Sequence, residues 1–248
     1  MKQTTLILVW TIISFTSFGQ ADEKTDKHVT FDKGLNLIGG SIGFRNNGSD
    51  SENFADSSFS DNTSKLFSIS PTYARFIRKN LAFGIRPSYG FKNNDVDAEN
   101  ELYSTSGFNR HASYSVALYL KKFLPLYKGL GVYVSPSIQY GYSKSDNERN
   151  GFNLTTNQRE YRSVENTSAD SYGGYVHAGL YYAIGKKVLI ETNLAALGYS
   201  RSISDRTLTY IAEQNSRTTV SENTASSLYL DFDSIFTIDR LFTFSYIF

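Results

Sequence analysis

The sequence predicts an all-β fold, a transmembrane antiparallel up-and-down β-barrel of eight strands with long extracellular loops and short periplasmic turns. Three observations lead to this prediction. The chain starts with an apolar export signal, continues through eight stretches with the alternation of β-strands, and ends on an aromatic strand. An exported chain without further apolar helices can cross a membrane only as a closed barrel, because lipid satisfies no backbone hydrogen bonds.

The N-terminus has the features of a secretory signal peptide. Lys2 supplies the basic residue, and Leu6–Phe18 is an apolar run of thirteen residues. Small residues around Gln20 predict cleavage after Gly19 or, alternatively, after Ala21. A membrane anchor is the other interpretation, but a spanning helix takes about 20 apolar residues.

The predicted organisation has three parts. Residues 1–19 are the signal peptide, residues 20–33 are a polar and loosely ordered periplasmic segment, and residues 34–248 form the barrel. The chain contains no Cys. A lipoprotein anchor, a disulfide framework and a thiolate metal site or nucleophile are therefore excluded.

Composition narrows the class further. The formal net charge is +1 and the mean hydropathy is −0.34, so no strong field points to nucleic acid as a partner. Aromatic residues make up 15% of the chain, with 18 Tyr and 18 Phe but a single Trp. Tyr and Phe form the girdles of a transmembrane barrel at the two membrane interfaces.

The predicted strands share apolar residues at every second position, which is the period of a strand with one apolar face. They are Leu35–Phe44, Lys65–Ile77, Leu81–Phe91, Arg110–Phe123, Leu130–Tyr142, Ser171–Ile184, Val188–Ser200 and Leu241–Phe248. In the fourth strand, for example, Tyr114, Val116 and Leu118 share one face while Ser113 and Ser115 share the other. We expect the apolar face to meet lipid and the small polar face to line the lumen.

The connections between these strands alternate in length. Short connections rich in Lys, Gly or Pro occur at Arg78–Asn80, Leu124–Gly129 and Gly185–Lys187. Long connections rich in Asn, Ser, Asp and Glu are predicted as loops at Arg45–Ser64, Lys92–Asn109, Ser143–Asp170 and Arg201–Ala225. Short turns on one side and long loops on the other are typical of an outer-membrane barrel, and the even strand count puts both termini on the periplasmic side.

Three features fit this pattern less well. Pro71, Pro87 and Pro136 lie inside strands on the lipid face, where we expect local bulges because a proline cannot donate to the ladder. The apolar residues of the first strand mix both parities. Ser227–Ile238 continues the parity of the last strand, and we expect it to project the eighth strand beyond the membrane, with a separate ninth strand as the alternative.

The C-terminal strand carries aromatic residues at Phe242, Phe244, Tyr246 and Phe248. A strand that ends the chain needs a partner at each edge, and closure onto the first strand supplies one. With the signal peptide and the hairpin rhythm, this ending resembles the small eight-stranded outer-membrane barrels of the OmpA/OmpX type, especially the porin-family β-barrel domain of Gram-negative bacteria.

The resemblance covers residues 34–248 and has several implications. It implies that Phe242, Phe244, Tyr246 and Phe248 are the insertion signal read by the barrel insertion machinery. It also implies an outer-membrane location at the cell surface, with lipid and lipopolysaccharide as partners. It implies no particular activity, because this fold carries adhesins, structural proteins, channels and enzymes.

His111-Ala112-Ser113 is the strongest hint of an enzyme. It resembles the His-x-Ser pair of lipid-A deacylases, which are eight-stranded barrels with a lipid-facing site that includes a Glu. Here parity places His111 and Ser113 on the lumen face, Tyr114-Ser115-Val116 replaces the Asn-Ala-Gly that follows in that family, and no Glu follows at matching spacing. We therefore predict a protein without enzymatic activity.

Carboxylates alternate in the second long loop, at Asp95, Asp97, Glu99 and Glu101. Oxygen ligands suit Ca²⁺, but the spacing lacks the Gly turn and terminal Glu of an EF-hand loop. We expect a solvated acidic loop, with divalent-bridged contact to lipopolysaccharide phosphates as the alternative. No cofactor and no metal site are predicted, since three scattered His and no Cys disfavour transition metals.

Arg86 and Glu191 form the predicted lumen ion pair. They lie five and three residues above the starts of their rising strands, which places them at similar depth. A carboxylate facing lipid is costly and so is an unpaired charge in the lumen, so the two are expected to pair directly or through Tyr181, Tyr133 or water. The pair is predicted to close the lower lumen to solutes.

The predicted role is structural or surface-binding, worked by the four long loops on an extracellular ligand that the sequence does not identify. A small-solute channel is the first alternative, and a lipid-A-modifying barrel enzyme is the second. An eight-stranded barrel has room only for its own side chains, which argues against an open pore.

Overall fold

The computed structural model describes residues 28–53, 58–99, 102–156, 158–212, 215–231 and 243–248, and the predicted signal peptide lies outside this part of the chain. The described strands are β1 (Asn36–Asn53), β2 (Ser58–Arg78), β3 (Leu81–Glu99), β4 (Tyr103–Tyr127), β5 (Leu130–Asn153), β6 (Gln158–Ile184), β7 (Val188–Ala212), β8 (Asn215–Asp231) and β9 (Thr243–Ile247). No described segment is a helix long and apolar enough to cross a membrane.

The strands form one antiparallel sheet that closes into a ring. Consecutive strands pair from β1 to β7, and β9 pairs with both β7 and β1. β8 pairs with the far part of β7 while β9 pairs with its beginning, so these two strands share the eighth position of the ring. The structure thus confirms the all-β fold and the closure of the last strand onto the first.

The predicted eighth strand consists of two elements. Ser227–Asp231 belongs to β8, and the remainder of the predicted extension, up to Ile238, lies outside the described residues. The alternative of a separate ninth strand is therefore correct. The ring still has eight positions, because β8 and β9 pair with different parts of β7 and lie one beyond the other along it.

The four long connections are mainly strand rather than loop, which corrects the prediction. β1 pairs with β2 as far as Asn53 and Ser58, and the other three hairpins continue in the same way. Strands β4 to β7 are 24 to 27 residues long as a result. The sequence signal stops where one face ceases to be apolar, whereas the backbone ladder continues, since its hydrogen bonds do not depend on side-chain polarity.

The short connections at the opposite end are confirmed as tight turns, except that β4 runs to Tyr127, so only Lys128 and Gly129 of the predicted Leu124–Gly129 connection form the turn. This end is named the base of the barrel, and the end with the four hairpins is named the top. At the base turns, Asn80, Lys128 and Gly185 adopt positive φ angles of 58°, 46° and 63°. Asn and Gly reach this conformation at the lowest cost, which explains the composition of two of the turns.

The prediction of bulges at the prolines is wrong. Pairing between β2 and β3 stops across Pro71 and Pro87, but its register is the same on both sides of the interruption. The β4–β5 pairing is interrupted without a shift at the level of Pro136 as well. A missing proline N–H therefore removes ladder bonds here without adding a residue to either strand.

A bulge occurs instead in β7 and explains why its parity is mixed. The β6–β7 register shifts between Ala178 and Gly179, which leaves Leu194 as the extra residue. Below the bulge Glu191 faces the lumen, and above it Ala196 does, although their positions in the sequence have opposite parity. One inserted residue thus moves every later side chain to the other face.

Candidate functional site: the barrel lumen

The outer face of the barrel is an apolar band, as parity predicted. In β1 the mixed pattern resolves, because Leu37 is buried while Ile42 and Phe44 are 72% and 69% exposed. Exposed aromatic residues ring the band towards the top, at Phe44, Phe67, Phe91, Tyr114, Tyr140, Tyr172 and Tyr199. An apolar exterior around a polar interior is the arrangement of a transmembrane barrel rather than of a water-soluble one.

Phe31 occupies the base of the lumen. It is 1% exposed, and its ring centroid lies 5.2 Å from those of Phe76 and Phe123 and 6.1 Å from that of Tyr181. These four rings and Tyr133, whose ring lies 6.5 Å from Phe123, are named the base cluster. Tilted and edge-on aromatic pairs of this kind are stabilising beyond the area that they bury.

Hydrogen bonds from the backbone N–H groups hold the segment before β1 against the base. The Phe31 N–H donates to Asn80 Oδ1 at 2.8 Å, and the Asn80 N–H donates to the Phe31 carbonyl at 2.9 Å. The Val29 N–H donates to the Lys128 carbonyl at 3.2 Å. The predicted loose order is therefore wrong for the end of this segment from Val29 to Phe31, because reciprocal hydrogen bonds and a buried ring fix it.

A buried ion pair lies against the base cluster. Lys121 Nζ donates to the two carboxylate oxygens of Glu191 at 3.0 and 2.8 Å, and Glu191 is 3% exposed. The same ammonium lies 4.7 Å from the centroid of the Tyr133 ring and 5.8 Å from that of Phe123. The inward orientation predicted for Glu191 is thus observed, and ring faces complete the surroundings of the cation.

The direct partner of Glu191 is Lys121 rather than Arg86, which corrects the predicted pair. Arg86 does face the lumen, and it lies within electrostatic range of Tyr119 and Tyr133, as Glu191 does. Arg86 and Glu191 therefore lie near the same two tyrosines, as their similar predicted depth requires. The partner was missed because only rising strands were compared for depth, whereas Lys121 lies on the descending strand β4 and reaches the carboxylate of Glu191 across the ring.

Two glycines make room for the lumen tyrosines. A Cβ added to Gly84 would lie 2.6 Å from the Tyr119 ring, and one added to Gly179 would lie 2.6 Å from the Tyr133 ring. Any side chain at these positions would displace the ring. The glycines thus allow each tyrosine to lie over the neighbouring strand, which is a recognised way to rescue glycine in a sheet.

A cavity of about 930 Å³ lies above the base cluster. Nine serines line it, among them Ser88, Ser115 and Ser135, and Gln139 and Asn193 add amide groups. The charged side chains in its described lining are Arg45, Arg86, Lys121 and Glu191. The small polar residues predicted for the lumen face therefore enclose a hydrophilic space that lies above a base filled by side chains.

The predicted enzyme pair does not form a catalytic arrangement among the described residues. Ser113 lines the cavity, and its hydroxyl donates to the Gly90 carbonyl at 3.5 Å. In the ladder His111 lies opposite Lys92 and Ser145, with no carboxylate in register. The lumen-side position that parity predicted is thus observed for Ser113.

The acidic stretch lies on a strand rather than in a loop. Asp95, Asp97 and Glu99 project from the outer face of β3 near the top and are exposed, while Glu101 lies outside the described residues. Asp95 accepts a hydrogen bond from Asn93 Nδ2 at 3.0 Å. Within the described chain no group of three metal-binding side chains occurs.

The C-terminal aromatics face outward next to the first strand. Phe244, Tyr246 and Phe248 are 58%, 44% and 55% exposed, and Phe242 lies outside the described residues. The Phe248 N–H donates to the Asn36 carbonyl at 3.0 Å, and the Asn36 N–H donates to the Phe248 carbonyl at 2.7 Å. Their role as an insertion signal stays a prediction.

No protein-family model and no curated protein sequence matches the chain. The fold is similar to that of the outer membrane protein OprG from Pseudomonas aeruginosa, with 12% identity, a TM-score of 0.43 and coverage of 90% of this chain and 99% of that one. It is also similar to a major outer membrane protein from Thermus thermophilus, with 12% identity, a TM-score of 0.38 and coverage of 86% and 99%. The ferric yersiniabactin uptake receptor FyuA from Yersinia pestis matches at 7% identity and a TM-score of 0.29, over 80% of this chain and 44% of that one.

Proposed function

We propose that the chain is an integral outer-membrane β-barrel protein with a structural or surface-binding role, worked by the four hairpins at its top. The observation that carries this proposal is a barrel with an apolar exterior and a lumen that side chains fill at the base. The exterior fits lipid, and the filled base disfavours a path for solutes.

The strand lengths support a role for the top of the barrel. A strand needs about 9–11 residues to cross the hydrocarbon core, whereas β4 to β7 contain 24 to 27. The excess forms hairpins with polar and exposed faces, and cross-strand ion pairs such as Arg162–Glu148 and Arg206–Glu165 stiffen them. Rigid projecting hairpins present a defined surface to lipopolysaccharide or to an external ligand.

The alternatives have less support. A small-solute channel requires a continuous path, but Phe31 and the Lys121–Glu191 pair occupy the base. A lipid-A-modifying enzyme requires its nucleophile to face lipid, but Ser113 lines the lumen. The structural or binding role therefore agrees best with the geometry.

Cysteine labelling on intact cells tests this proposal, because the chain has no Cys of its own. Thr155→Cys places a thiol at an exposed position near the tip of the β5–β6 hairpin, and Lys128→Cys places one in a base turn. A maleimide that cannot cross membranes should label the first variant on intact cells and the second only after permeabilisation. Equal labelling of the two variants, or recovery of the protein from the soluble periplasm, would contradict the proposal.

A further inference from the structure

The lumen cavity has an excess of positive charge. Its described lining contains three Lys or Arg side chains and one carboxylate. Lys121 and Glu191 neutralise each other through two short hydrogen bonds, and Arg45 makes another interaction of its own. The remaining charge in the cavity belongs to Arg86, and low-dielectric walls concentrate the field of such a group.

Arg86 has no acidic partner within the described chain. The residues in register with it on the next two strands are Ala117 on β4 and, beside Ala117, Gln139 on β5. Neither residue carries a charge. A guanidinium offers five N–H donors in a planar fork that fits a carboxylate or phosphate, so Arg86 is available to an anion that enters the cavity.

The groups around this guanidinium suit a ligand rich in hydroxyls. Nine serines line the cavity. Ser88 lies two residues after Arg86 on β3, and Ser115 lies two residues before Ala117, the residue that pairs with Arg86 on β4, so both face the lumen as Arg86 does. The hydroxyl of Tyr119, a residue that is 5% exposed and lines the cavity, has no hydrogen-bond partner, and neither has Asn193 Oδ1. Buried polar atoms are normally paired, so a donor and an acceptor are both available to a ligand here.

We propose that this cavity binds a small hydroxylated anion, a sugar phosphate or a sugar acid, which enters from the top. Arg86 binds the anionic group, and the serines, Tyr119 and Asn193 bind the hydroxyls. The volume of about 930 Å³ is in the range of small-molecule sites, roughly 300–1,000 Å³. The filled base retains the ligand on the outer side of the barrel, so the site is one for binding rather than for passage.

Equilibrium dialysis of the folded mature protein in detergent micelles tests this proposal with glucose 6-phosphate, gluconate and glucose as probes. At least one of the two anions should bind saturably and at least about tenfold more tightly than glucose, because a charge-assisted bond to arginine is absent in the neutral sugar. Glucose 6-phosphate carries a phosphate and gluconate a carboxylate, so the anion that binds more tightly identifies the class of ligand.

Variants locate the site. Arg86→Gln should weaken binding of the preferred anion at least about tenfold, while Arg86→Lys should retain part of it. Arg201→Gln, which changes an exposed arginine on β7, should leave binding unchanged and serves as the matched control. Retention of heat-modifiable migration on a denaturing gel shows that each variant is folded.

Salt dependence of the wild type provides a second measurement that needs no variant. Binding of the preferred anion should weaken as the ionic strength rises, whereas glucose binding should not change. Three results would each overturn the proposal: no saturable binding of either anion, equal binding of glucose, or unchanged binding by folded Arg86→Gln.

Discussion

The base and the top of this barrel are built from the same strands but held together in different ways. At the base, large side chains such as Phe31, Phe76, Phe123 and Tyr181 are almost fully buried. At the top, the ion pairs between β5, β6 and β7 are partly exposed, and β8 is exposed on both faces wherever its side chains are described. Burial of apolar area therefore stabilises the base, while the ladder and cross-strand pairs hold the top.

This difference explains how the barrel can be stable while its hairpins tolerate substitutions. Substitutions in the base open cavities or leave charges unpaired, whereas substitutions on the hairpins change a solvated surface. The surface of the hairpins is thus separated from the part of the molecule that determines its stability.

The largest expected effect is at Phe31. Phe31→Ala empties the centre of the base cluster and should lower the free energy of unfolding by about 3–5 kcal/mol. The measurement is urea unfolding in micelles. Phe59→Ala is the matched control, because Phe59 is 42% exposed on β2 near the top, and it should cost less than about 1 kcal/mol. Similar losses for both variants would remove the distinction between base and top.

The second effect is at Glu191. Glu191→Gln leaves the Lys121 ammonium without its carboxylate beside the base cluster, and the cost should be about 3 kcal/mol. Replacement of both residues, as Lys121→Met with Glu191→Gln, should recover part of this loss because no buried charge is left unpaired. A double variant that is less stable than Glu191→Gln alone contradicts this explanation.

The third effect is at the C-terminal seam. Deletion of Phe248 removes its two backbone hydrogen bonds with Asn36, which should destabilise the closed ring by about 1–2 kcal/mol and lower the yield of inserted protein. Thr243→Ala changes an inward residue of the same strand and should matter much less. Outer-membrane yield measures both, and equal insertion of the two variants would argue against the terminal aromatic residue as the insertion signal.

The smallest effect is at the top. Arg162→Gln removes the ion pair with Glu148, whose side chains are 41% and 21% exposed, and should cost less than about 1 kcal/mol. The result is checked in the same urea unfolding assay as the base variants. A loss comparable to that of Glu191→Gln would show that the hairpins contribute to the stability of the whole barrel.

The sequence was sufficient for the wall of the barrel. Alternation alone assigned the two faces of the fourth strand, and the short turns were located by their composition. Alternation did not predict the strands of the hairpins at the top, because a strand with two polar faces has no hydrophobic period and is then predicted as a loop. The bulge at Leu194 was not predicted, although the mixed parity of the apolar residues in β7 is the sequence signal that it leaves.

The base of the lumen was predicted only in part. Glu191 was expected to face inward because lipid is a poor environment for a carboxylate, and it does. The positions of its partner Lys121 and of Phe31 in the base cluster are set by contacts across the ring, which no local sequence pattern shows. The sequence signal for this contact was Phe31, the single phenylalanine in the mainly polar segment of residues 20–33.

Conductance across a planar lipid bilayer tests the central claim most directly, namely that side chains close the base of the lumen. The wild-type barrel should insert and produce no steady ionic current at any applied voltage, while a conducting porin in the same bilayers confirms that insertion is detected. Stable current steps from the wild-type protein would contradict the claim, because they require a continuous aqueous path past Phe31 and the Lys121–Glu191 pair.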